Sequence, residues 1–143
     1  MVKFVVEYLK DRANAVRKEG VLLIVKLLEQ HGQPWVEKTI IPKLLPMFKS
    51  PTFLHRETIL LALGTLIPKL SVECLGKQIF SNVFYLAQDP VENVRMSVCM
   101  ALPLLYAHLP KEKDAIRKLA KNLREDKDND VKELALKMCS KLD

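Results

Sequence analysis

A pattern repeats along the chain at intervals of 39, 39 and 37 residues, and it limits the fold more than any other feature of the sequence. A basic residue stands at the same place in each interval. These residues are Arg17, Arg56, Arg95 and Lys132. Six positions before each stands a residue typical of turns; these are Asp11, Ser50, Asp89 and Asp126. The same offsets superpose apolar residues such as Ile24, Leu63 and Leu102, so the chain is built from repeated units.

Each unit divides into two helical stretches. In the third unit, residues 73–88 and 91–109 both carry apolar side chains with the i, i+3, i+4, i+7 spacing of an amphipathic helix. Asp is a favoured N-cap and Pro is favoured in the first helical turn, so Asp89 and Pro90 predict the start of the second helix. Ser50 and Pro51 predict the same one unit earlier. Only four glycines occur, which disfavours a fold of strands and tight hairpins.

Helix pairs at a period near 40 residues predict an all-α superhelix, an α-solenoid of about three and a half antiparallel helix pairs. The predicted units are about 1–32, 33–71, 72–109 and 110–143. The first residues are apolar, whereas the last helix is better solvated. We therefore expect either a segment of a longer array or a small protein that docks or self-associates through its N-terminal end.

The turn and second helix of the third unit resemble HEAT repeats. The resemblance rests on Asp89-Pro90-Val91-Glu92-Asn93-Val94-Arg95 followed by Ala101-Leu102. Val16-Arg17 and Val131-Lys132 are similar, whereas the second unit departs from the pattern with His55-Arg56. The resemblance covers most of the chain and implies HEAT-type helix pairs.

Among HEAT proteins, Leu44-Leu45-Pro46 and the run from Asp89 to Arg95 most resemble scaffold or regulatory subunits of type 2A serine/threonine protein phosphatases. This resemblance implies a non-enzymatic, protein-binding scaffold whose partner is a phosphatase catalytic or regulatory subunit. Two alternatives remain open. One is a HEAT segment of a nuclear transport or chromosome-associated complex, and the other is a nucleic-acid-binding HEAT-like module.

No arrangement of residues typical of an enzyme, a metal site or a cofactor site is visible. The three histidines fall in different units, and the three cysteines are separated by 25 and 40 residues without C-x-x-C spacing. An odd number of widely spaced cysteines suits a reducing compartment, so we expect a cytoplasmic protein, with the nucleus as an additional location. No run of 18 apolar residues predicts a membrane span.

The net charge of +6 raises nucleic acid as a partner, but its distribution favours protein. Residues 1–50 carry +4, residues 51–110 are neutral and residues 111–143 carry +2, with alternating signs. A nucleic-acid binder is expected to gather its cations in one groove or stripe. We therefore predict a protein partner, and neither a small-molecule substrate nor a membrane.

Two sets of residues are candidates for function. The first forms a row on the second helices, opposite their apolar core face, and its members are Lys18, Leu22, Glu57, Leu61, Met96 and Met100. This row either binds a partner or packs laterally within the array, and the sequence leaves both interpretations open. The second set is the ladder Asp11, Arg17, Arg56, Asp89, Arg95, Asp126 and Lys132. Its cations are expected to bridge to the turn carboxylates in preference to forming a binding surface.

Overall fold

The computed structural model describes residues 2–142. These residues form helices joined by short turns, and no strand occurs among them, which confirms the predicted all-α class. The structure divides into two compact units, the first ending at Ser71 and the second beginning at Val72. None of the helices in residues 2–142 is long and apolar enough to cross a bilayer.

The described residues of the first unit form five α-helices. They are α1 (Val2–Leu9), α2 (Asn14–His31), α3 (Gln33–Thr39), α4 (Ile41–Leu44) and α5 (Phe53–Leu66). Two 3-10 segments follow α4 and α5, at Leu45–Lys49 and Ile67–Lys69. Helix α2 packs against α1, α3 and α5, so it lies at the centre of this unit. Its side chains Ile24 and Leu27 are buried in the core.

Two prolines shape the segment between α2 and α5. Pro42 stands in the first turn of α4 and Pro46 in the first turn of the 3-10 segment. A proline has no N–H to donate, and its ring clashes with the carbonyl of the preceding turn. This explains why the helix is interrupted at Ile40 and tightens after Leu44 instead of running straight.

Helices α1 and α2 approach closely at Gly20. A Cβ atom at Gly20 would lie 3.1 Å from both Leu9 Cδ2 and Tyr8 Cβ. At the superposed repeat positions the chain carries Ile59 and Val98. The first unit thus uses the missing side chain to bring its short leading helix against α2.

The described residues of the second unit form five further α-helices. They are α6 (Val72–Cys74), α7 (Phe80–Leu86), α8 (Glu92–His108), α9 (Lys113–Arg124) and α10 (Asn129–Cys139). A π-helical turn, Leu75–Ile79, connects α6 and α7, and short 3-10 segments precede α9 and follow α10. Helix α8 packs against α7, α9 and α10. Its predicted core residues Val94, Val98 and Leu105 are fully buried.

The predicted N-caps of two second helices, Asp89 and Ser50, are wrong by two residues, because the observed N-caps are Val91 and Thr52. Helix α8 begins at Glu92 with Val91 as its N-cap, and neither Asp89 nor Pro90 holds a cap position. The Asp89 carboxylate accepts a hydrogen bond from the Val91 N–H at 2.9 Å, so it closes the turn before the helix. Ser50 likewise precedes the N-cap of α5. Side-chain capping occurs instead at Asp128, the N-cap of α10.

Candidate partner-binding surface

The four turns that precede the second helices share one hydrogen bond. In each, a side-chain oxygen accepts from the backbone N–H two residues later. The bonds join Asp11 Oδ1 to Ala13 N (2.8 Å), Ser50 Oγ to Thr52 N (3.2 Å), Asp89 Oδ1 to Val91 N (2.9 Å) and Asp126 Oδ1 to Asp128 N (2.9 Å). The repeated Asp or Ser therefore stabilises the turn by accepting a hydrogen bond from a backbone N–H of the same turn, as these residues commonly do outside helices.

The ladder arginines also share a bond. The Nη1 atom of each donates to the backbone carbonyl six residues earlier. The pairs are Arg17 to Asp11 (2.9 Å), Arg56 to Ser50 (2.8 Å) and Arg95 to Asp89 (2.7 Å). The backbone carbonyls of these turn residues lie outside the helices and need hydrogen-bond donors. The guanidinium N–H provides the donor and connects the helix to the turn before it.

Arg95 makes a second and stronger interaction. Its Nε and Nη2 atoms donate to Asp126 Oδ2 and Oδ1 at 3.0 and 3.1 Å, a bidentate pair between α8 and the turn before α10. The two side chains are only 6% and 11% exposed. The charge of Arg95 is thus neutralised inside the second unit. Lys132, the last cation of the ladder, is half-buried in α10.

Four of the six residues in the predicted binding row line a single groove in the first unit. Lys18 and Leu22 project from α2, and Glu57 and Leu61 project from α5. The groove encloses about 480 Å³ and is open to solvent. Leu22 is 51% exposed and Leu61 is 49% exposed, so neither is a core residue.

Further groove residues flank this row and were not singled out by the sequence pattern. They include Val21 on α2 and Leu54, Thr58 and Thr65 on α5. Each stands three or four residues from a member of the row or from another of these residues, which is the spacing of neighbours on one helix face. This spacing could have identified the additional groove residues from the sequence. It does not indicate that the space between α2 and α5 is open.

In the second unit, the two predicted methionines differ in exposure. Met100 is 47% exposed on α8, whereas Met96 is half-buried one turn earlier. Two further apolar side chains of this unit are exposed outside the predicted row. Leu136 on α10 is 54% exposed, and Tyr85 on α7 is 65% exposed.

The family pattern described as HEAT repeats matches residues 41–139, which is most of the chain. The chain belongs to the HEAT-repeat family. The expected HEAT resemblance is thereby confirmed, and with it the α-solenoid fold class that HEAT repeats form. The matched range includes the turn bonds and ladder arginines of the second and third repeats.

This HEAT-repeat chain is similar to two yeast proteins, each described as the A-type regulatory subunit of protein phosphatase PP2A. The Saccharomyces cerevisiae protein is 33% identical over 122 residues, covering 78% of this chain and 19% of the relative. The Schizosaccharomyces pombe protein is 38% identical over 68 residues, covering 48% of this chain and 12% of the relative. The chain therefore spans less than a fifth of the length of either relative. The predicted likeness to type 2A scaffold subunits is confirmed.

The cysteine side chains lie in the interior of the protein. Cys74, Cys99 and Cys139 are buried and form no disulfide, and burial raises the pKa of Cys99 to about 12, with smaller contributions from Cys139 and Asp126. At neutral pH the Cys99 thiol is protonated and unreactive. Among residues 2–142, no three His, Cys, Asp or Glu side chains are grouped so as to hold a metal ion.

His55 links two turns of the first unit. Its Nδ1 atom lies 2.8 Å from Ser50 Oγ. Burial lowers the pKa of His55, and the nearby Lys10 ammonium lowers it further, although a hydrogen bond with the Lys10 backbone opposes both effects. The neutral imidazole is therefore the form that fits this contact.

Proposed function

We propose that this chain is a segment of a non-enzymatic scaffold that assembles a type 2A serine/threonine phosphatase, and that its partner is a catalytic or regulatory subunit of that enzyme. The observation that carries the proposal is the similarity to the A-type regulatory subunits of PP2A from two yeasts. The half-exposed Leu22, Leu61 and Met100 on the second helices supply apolar contact area of the kind that protein interfaces use. We also propose the cytoplasm as its location, and the nucleus as a second one.

Affinity purification of the tagged chain from cells, followed by mass spectrometry, tests this proposal. We expect the catalytic subunit of a type 2A phosphatase among the captured proteins, in amounts that exceed those captured by the tag alone. Capture of nuclear transport or chromosome-associated proteins without any phosphatase subunit would overturn it.

Charged substitutions test the proposed surface. Met100→Glu, alone and combined with Met96→Glu, is expected to reduce capture of the phosphatase subunit because a carboxylate cannot be buried unpaired in an interface. Leu136→Glu is the matched control, since Leu136 is also about half exposed and lies on a different helix of the same unit. Helical circular dichroism separates the outcomes. Loss of the fold in the Met100→Glu variant would show that this side chain belongs to the core.

A further inference from the structure

We infer that the groove between α2 and α5 binds an amphipathic helix of a partner protein, whose apolar stripe is flanked by an acid on one side and a base on the other. The inference rests on the proposed function, because it takes this groove to be part of a protein-binding face. It goes further by stating the form and the charge pattern of the segment that the groove accepts.

The dimensions of the groove suit a helix. Its lining on α5 extends from Leu54 to Thr65, and at ~1.5 Å per residue this stripe is about 16 Å long. About three turns of a helix have the same length. Lining residues on α2 and α5 recur at spacings of three and four, so each wall is a regular helical stripe. A partner helix can therefore place its own i, i+3, i+4 and i+7 side chains between the two walls.

The apolar side chains at the centre of the groove favour a partner helix that carries an apolar stripe. Leu22 and Leu61 stand on opposite walls at equivalent repeat positions, each about half exposed, while Val21 and Ala62 lie beside them. Covering half-exposed leucines with apolar side chains removes that surface from water, which favours binding. A polar segment would gain nothing from these positions.

Two charged residues, Lys18 and Glu57, stand on opposite walls and have opposite signs, and Arg17 adds a second cation to the α2 wall, where it is hydrogen-bonded to its own turn. Lys18 stands one turn before Leu22 on α2, and Glu57 stands one turn before Leu61 on α5. Within residues 2–142 neither side chain forms an ion pair, whereas Lys3, Lys77, Arg95 and Arg117 all do. A partner helix that presents an acid to Lys18 and a base to Glu57 pairs both, as the residues that flank the apolar seam of a coiled coil do.

Three synthetic peptides are the probes for this groove. All are fluorescein-labelled helices of about 18 residues, long enough to span the groove, with leucine at the a and d positions of the heptad. The first carries Glu at e and Lys at g, the second Glu at both positions, and the third Lys at both. Binding to the 143-residue chain is followed by fluorescence polarisation at low salt.

We expect the wild-type chain to bind the mixed Glu and Lys peptide most tightly. Lys18→Glu places a carboxylate on each wall, with Arg17 still present on α2, and should shift the preference toward the all-Lys peptide by about tenfold. Glu57→Lys makes both walls basic and should shift it to the all-Glu peptide by a similar factor. Leu61→Glu should lower the affinity for all three peptides by about thirtyfold or more. Leu136→Glu, on another helix, should leave every affinity unchanged.

The inference is overturned if no peptide binds the wild-type chain saturably, or if the Leu61→Glu variant binds the peptides as tightly as the wild type does. It is also overturned if Lys18→Glu and Glu57→Lys do not change which peptide binds most tightly. The same proteins separate this result from the proposed function. If the wild-type chain captures the phosphatase catalytic subunit but binds no peptide, the proposed function stands and helix binding in the groove is rejected. If peptides bind in a charge-dependent way but the subunit is not captured, helix binding stands and the phosphatase role is rejected.

Discussion

At the scale of single residues, the ladder arginines have one shared role and one that differs between repeats. Arg17 and Arg95 both donate to the carbonyl that closes their own turn. Arg95 is also buried against Asp126, whereas Arg17 is half exposed and donates to Asp11, Arg12 and Asn14 nearby in the sequence. Equivalent sequence positions therefore differ in how much they contribute to stability.

Replacing Arg95 by methionine is expected to destabilise the protein by about 3 kcal/mol, because the substitution leaves the mostly buried Asp126 carboxylate without its counterion. Arg17→Met removes the hydrogen bonds of a half-exposed guanidinium and leaves no buried carboxylate unpaired, so it should cost about 1 kcal/mol. Urea unfolding followed by circular dichroism measures both. Equal and small losses in the two variants would contradict the buried ion pair.

His55 makes stability depend on pH. Its pKa in the folded chain lies below the ordinary value of 6.5, chiefly because of burial, so the unfolded chain binds a proton more readily. Well above pH 6.5 the imidazole is neutral in both states, and its contribution to the free energy of unfolding is constant. As the pH falls below 6.5, the unfolded state gains protons first, and stability decreases through the folded-state pKa.

His55→Gln should therefore show a smaller decrease in melting temperature between about pH 7.5 and about pH 5.5 than the wild-type chain. An unchanged decrease in the His55 variant would show that this imidazole does not contribute to the acid sensitivity.

At the scale of helices, the contact of α1 with α2 depends on a missing side chain. Gly20→Val places branched carbons where even a Cβ lies 3.1 Å from Leu9 and Tyr8, so it should destabilise the chain by about 1–3 kcal/mol. Gly64→Ala in α5 meets no atom within 4 Å and should stabilise by up to about 1 kcal/mol, because alanine favours helix. Opposite shifts of the melting temperature are expected. Tolerance of valine at position 20 would disprove the close approach.

Helix identity was predictable from the sequence, but helix ends were not. Apolar spacing predicted the buried stripes of α7 and α8, since burial follows helical periodicity. Asp89 and Pro90 suggested a cap because both residues favour helix starts, yet the carboxylate satisfies the turn N–H of Val91 first. The choice between two local acceptor geometries depends on the backbone path, which composition does not specify.

The candidate surface was predictable in part. The 39-residue offset placed Lys18 with Glu57 and Leu22 with Leu61, and these four residues line one groove. Exposure was not predictable, because a helix in an array packs on more than one side. Met96 and Met100 are one turn apart on α8, yet only Met100 is exposed. Neighbouring helices decide that difference.

At the scale of the whole chain, the sequence carries a net charge of +6, of which residues 1–50 contribute +4. Arg95 is neutralised by Asp126, Lys77 by Glu73 and Lys3 by Glu7. The HEAT-repeat family match and the two yeast relatives favour the proposed role, in which the repeated helices present surfaces to other proteins.

The most direct test of this scaffold role is the binding of a purified type 2A phosphatase catalytic subunit to the purified 143-residue chain, measured by isothermal titration calorimetry. We predict saturable binding with one catalytic subunit per chain, retained by Leu136→Glu and weakened at least about tenfold by Met100→Glu or Leu61→Glu. Absence of binding by the folded wild-type chain, or equal binding by all four proteins, would contradict the account.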